Sequence, residues 1–98
     1  MFGALHLPMA VYLISFEVEN PEETQAPLEN TIRSLGDWGR LSPNGYIVHS
    51  FETQQAVYDT LAEKTGPQDT LYVLPLRRPW IGKGPKELDQ WLEEILPY

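Results

Sequence analysis

The stretch Ala10 to Val18, AVYLISFEV, limits what this chain can fold into more than any other segment. Its β-branched and aromatic residues favour a strand, and Asn20-Pro21 closes it. Side chains alternate along an extended chain. Tyr12, Ile14, Phe16 and Val18 therefore share one wholly apolar face, and Val11, Leu13, Ser15 and Glu17 share a face that is apolar only at its start. The pattern predicts a central strand covered on both faces, with Glu17 near its C-terminal end.

The segment that follows, ENPEETQAP, reads as an acidic loop. Leu28, Ile32 and Leu35 then fall at helical spacing, with Pro27 at the first helical position and Gly36 as the stop. Asp37–Leu41 and Tyr46–Phe51 read as short strands of a hairpin. Between them, Pro43 fixes one backbone angle and Asn44-Gly45 tolerates positive φ. Thr53 is placed to cap a second helix with Ala56, Val57, Thr60 and Leu61 on its apolar side, and Gly66-Pro67 ends it. Thr70 to Leu76, TLYVLPL, is a fourth strand, which Pro75 assigns to an edge or a bulge because it lacks an amide donor. RRPWIGKG is a loop, and Pro85 begins a last helix with Leu88, Trp91, Leu92 and Ile95 on one stripe. Trp91 and Trp38 read as packing residues, and Gly39 and Gly45 as turn chemistry.

This order of elements predicts an α+β fold of the ferredoxin-like βαββαβ kind: a four-stranded antiparallel sheet with two helices on one face. The extra C-terminal helix either covers the open sheet face or exchanges with a partner. Ninety-eight residues make a single domain, assigned to residues 9–98. Residues 1–8 form an N-terminal extension without clear periodicity, and Met9, rather than Met1, is a plausible start of translation. With no cysteine there is neither a disulfide frame nor a thiolate metal site. No apolar run approaches the roughly 18 residues that span a bilayer, so a cytoplasmic protein without a membrane partner is expected.

Fourteen acids against seven bases give a net charge of −7, a poor footprint for a surface that grips phosphates throughout. The bases are unevenly spread, however. Arg77, Arg78, Lys83 and Lys86 crowd around Trp80, and this segment has two readings. It is a nucleic-acid-binding loop in which the cations hold phosphates and Trp80 stacks on a base, or it pairs with the chain's own acids while Trp80 fills an interface. Glu17 is either a metal ligand, with Glu19 and Asn20 as nearby oxygen donors, or a solvated acid or one paired with Arg40 or Arg77. His49 reads as a hydrogen-bonded strand residue more readily than as a general base, and His6 is given no role. GKGP lacks the spacing of a phosphate-binding loop.

Tyr12–Val18 (YLISFEV), Ser34–Leu41 (SLGDWGRL), Gly45–Ser50 (GYIVHS) and the strand TLYVLPL with its Trp-containing loop together resemble the CRISPR-associated Cas-two superfamily. The resemblance is nearer to the small, stand-alone SinR-like branch and covers roughly residues 9–96. It implies a ferredoxin-like homodimer whose sheets pack or join across a two-fold axis, taking part in nucleic-acid or mobile-element defence. It also implies an acid at the end of the first strand, facing its twin and holding Mg²⁺ or Mn²⁺ for nuclease chemistry. Glu17 stands where the family has Asp, and Phe16 stands where it usually has Tyr. The resemblance thus makes Glu17 the catalytic and metal-binding residue. The second functional class is a non-enzymatic interaction module whose sheet edge or last helix docks a partner protein.

Overall fold

The computed structural model describes residues 9–96. The expected extension over residues 1–8, with His6 and the choice between Met1 and Met9, lies outside these residues apart from Met9 itself. The elements are β1 (Ala10–Glu17), α1 (Pro21–Arg33), β2 (Asp37–Ser42), β3 (Gly45–Ser50), α2 (Gln54–Ala62), β4 (Thr70–Pro75) and α3 (Lys86–Ile95). The four strands form one sheet in the order β2-β3-β1-β4, every neighbouring pair antiparallel. This α+β arrangement of four strands and three helices is consistent in general with a ferredoxin-like fold.

Alternation in β1 builds the core. Tyr12, Ile14 and Phe16 pack with Tyr46 and Val48 of β3 and Val73 of β4 beneath Leu28 and Ile32 of α1 and Val57 and Leu61 of α2. On the opposite side Val11, Leu13 and Ile47 meet Leu88, Trp91, Leu92, Ile95 and Leu96 from α3 and its end. The last helix thus covers the second sheet face, as one of the two sequence expectations has it. The cover is partial: Ser15 and Glu17, farther along β1, are exposed.

One helix boundary requires correction. The segment ENPEETQAP is not a loop; α1 begins at Pro21, and Pro27 lies inside it. Proline suits the first turn, where its missing N–H would have no helical partner, and the Asn20 carbonyl accepts from Glu23 and Thr24. Glu22 and Glu23 then sit at the positive end of the helix dipole and Arg33 at the negative end. Pro27 cannot donate to the carbonyl one turn earlier, yet the helix continues because Leu28 and Ile32 are fully buried. Gly36 ends the connection to β2 against the His49 carbonyl, which leaves no room for a Cβ.

The hairpin and α2 lie where the sequence places them, with four corrections. Neither Asn44 nor Gly45 takes positive φ, Gly39 lies within β2 against Trp91 and Leu88 rather than in a turn, Thr60 is exposed, and α2 ends at Ala62, ahead of Gly66-Pro67. Thr53 caps α2, its Oγ1 accepting from the Ala56 N–H at 3.1 Å. β4 lies at a sheet edge and ends on Pro75. Its outer backbone is also met by a side chain: Gln54 Nε2 donates to the Val73 carbonyl at 2.9 Å.

Candidate functional site

Glu17 ends β1 opposite Thr70 of β4. Directly opposed residues share a face, so Glu17, Ser15, Thr70, Tyr72 and Leu74 line the half of the sheet that α3 leaves bare. Tyr72 and Leu74 are 59% and 48% exposed, a large apolar contribution for sheet residues. Glu17 itself is an exposed strand-end acid, and Arg40, one of its expected partners, pairs instead with Glu29. Nearby, the Asp69 carboxylate accepts from the Glu19 N–H and the Gly66 N–H, both at 2.8 Å, and these bonds hold its pKa below the usual 3.8. Among the described residues no group of three or more His, Asp or Glu is placed to hold a metal ion. Within one copy Glu17 thus stands apart from any cluster of carboxylate or imidazole ligands.

The basic loop is divided. Arg78 is tied to α3: its guanidinium pairs with Glu93 at 2.9 Å and donates to the Glu93 and Leu96 carbonyls. Trp80 packs against the α3 cluster, and its indole N–H donates to Glu93 at 3.1 Å. Those two residues fasten the helix across the sheet. Arg77, Lys83 and Lys86 stay exposed around them. The ring of Trp80 is committed to packing, and the fully exposed apolar side chain of this loop is its neighbour Ile81.

A third cluster gave no signal in the sequence, because its members are distant in the chain. The buried Tyr46 hydroxyl accepts from Arg33 at 3.0 Å, and Arg40, held by Glu29 at 3.1 Å, lies over the Tyr46 ring. Burial raises the Tyr46 pKa above 10.0, reinforced by Glu29 and opposed by the two arginines. Arg33 also stacks on Trp38, which is 45% exposed at the β2 edge. His49 is half-buried on β3 opposite Asp37. Comparison with known proteins found no family model, no curated protein and no solved structure that matches this chain.

Proposed function

We propose that this chain is a ferredoxin-like βαββαβ unit with α3 added as a cover, and that it serves as a non-enzymatic protein-interaction module. One observation carries the reading: the sheet face beyond α3 exposes Tyr72 and Leu74 beside the uncharged Ser15. Uncovered apolar sheet surface of this kind marks contact sites on folded domains. The engagement of Arg78 and Trp80 by Glu93 and the net charge of −7 favour a protein partner over nucleic acid. A cytoplasmic location suits the cysteine-free sequence.

The exposure of Glu17 on the bare half-face favours a second reading, the one implied by the Cas-two resemblance. A copy approaching that face would bring a second Glu17 and enlarge the donor set available to Mg²⁺ or Mn²⁺. Cleavage of RNA and DNA with each metal, wild type beside Glu17→Ala, separates the two. The module reading expects no metal-dependent cleavage by either protein. Cleavage by the wild type that Glu17→Ala abolishes would overturn it.

A further inference from the structure

The two edges of the sheet differ, and the ladder shows how. Phe16 N–H donates to the Asn44 carbonyl and Leu76 N–H to the Val11 carbonyl. Even-numbered residues of β1 therefore bond towards β3, and odd-numbered ones towards β4. Carried across the register, Tyr46 and Val48 bond towards β1, and Asp37 and Gly39 bond towards β3. The N–H and C=O groups of Trp38 and Arg40 are left on the outer side of β2. Among the described residues no side chain caps them; Arg40 itself reaches the carbonyls of Ser42 and Pro43, farther along. On β4 the outward residues are Leu71, Val73 and Pro75. There Pro75 has no donor and Gln54 occupies the Val73 carbonyl. The β4 edge is thus interrupted over Val73–Pro75 while Leu71 keeps its outward groups, and among the described residues the β2 edge is uninterrupted at Trp38 and Arg40.

The β2 edge is self-complementary. From this we infer that β2 pairs antiparallel with β2 of a second copy, about a two-fold axis through Gly39. This rests on the interaction-module reading and names the partner. With Gly39 opposite Gly39, Trp38 of each copy stands opposite Arg40 of the other, and the outward backbone groups of these two residues exchange both hydrogen bonds. The glycines fall at the close, non-hydrogen-bonded position, where Cα atoms approach to about 4.5 Å. Trp38 and Arg40 project to the same side of the sheet, so each indole, already flanked by its own Arg33, comes level with the Arg40 of the opposite copy, which would turn from its place over Tyr46 to make a favourable cation–π pair. The groove of about 390 Å³ beside this edge, bordered by Trp38, Arg40, Leu88 and Trp91, gives the incoming strand space. No register that sets Trp38 against Trp38 offers the same match.

This geometry has a signature. β1 lies two strands in from the edge, which sets the two copies of β1 about 24 Å apart across five inter-strand spacings; Leu13 is level with the axis and Glu17 lies four residues beyond it, so the two Glu17 residues are also displaced about 27 Å along the strands, roughly 36 Å apart in all. Sedimentation velocity over micromolar concentrations should show a reversible dimer, and Trp38→Lys, which opposes two cations, should weaken it about tenfold or more. Trp38→Arg combined with Arg40→Trp recreates the pair in reverse and should restore association, with circular dichroism confirming that both variants fold. Because the chain has no cysteine, Glu17→Cys accepts a single spin label without altering the edge. An inter-label separation near the calculated value supports pairing at β2. A separation under half of that places the contact on the sheet face and overturns the inference while leaving the module reading intact. A wild type that remains monomeric throughout also overturns the second copy as partner. Metal-dependent cleavage lost in Glu17→Ala sinks the module reading alone.

Discussion

Gly36 meets the carbonyl of His49 so closely that a methyl group has no place to go, and its φ of 159° borders the region that side chains rarely adopt. Gly36→Ala should therefore lower the unfolding free energy by about 2–4 kcal/mol in urea titration, from combined overpacking and backbone strain. Asp69 predicts a pH effect of definite sign. Its folded pKa is depressed by two backbone donors, so its contribution is present above 3.8 and is lost as pH falls through the lower, folded value. The urea midpoint of the wild type should drop towards that of Asp69→Ala on acidification below about pH 4. Tyr12 and Tyr46 act in the opposite range: burial raises both, so their contribution is full below 10.0 and disappears as pH rises through their folded values. None of these three roles could be read in the sequence. A carboxylate in a Pro-Gln-Asp-Thr turn or a tyrosine in a strand becomes distinctive only when the fold brings its partners to it.

The elements were legible where periodicity and capping agreed, as in β1, the hairpin, α2 and the amphipathic stripe of α3. They were illegible where one local rule masked another. Two prolines six residues apart each satisfy the first-turn rule, and the second coincides with the start of the apolar spacing. The burial of Leu28 and Ile32 overrides the defect at Pro27. Pro27→Ala should consequently raise stability by about 1–3 kcal/mol, since it restores an intrahelical hydrogen bond without touching the core. Urea denaturation at neutral pH gives the comparison. α3 is attached differently from the other helices. It relies on side chains such as Leu92 and Leu96 and on the exposed Arg78–Glu93 pair, which by itself contributes little. Arg78 also bonds the carbonyls at the end of the helix, so Arg78→Ala removes several anchors together. Hydrogen exchange should then speed up in α3 amides while those of α1 and β1 keep wild-type protection.

Across the whole molecule, among the described residues, a sheet covered by two helices on one side and by a single helix on the other leaves apolar surface bare beyond α3, at Tyr72 and Leu74, and at the β2 edge, at Trp38 and Leu41. The sequence anticipated the two-sided cover from the alternation in β1. It could not show that α3 stops short of Ser15, because the reach of a helix across a sheet depends on its crossing angle. The basic loop shows a similar limit: five candidate residues look alike in composition, yet the fold commits Arg78 and Trp80 to Glu93 and leaves Arg77, Lys83 and Lys86 in solvent. With a surplus of acids elsewhere, a labelled oligonucleotide should show no steep gain in affinity between about 200 and 50 mM salt, as anisotropy would record.

The amide of Gln54 and the ring of Pro75 bear on how far association can proceed. A sheet that is obstructed on one flank has a built-in brake: once a second molecule has joined, both remaining flanks of the product are the interrupted ones. Growth through backbone pairing is thereby disfavoured beyond a pair, and with it extension into fibres.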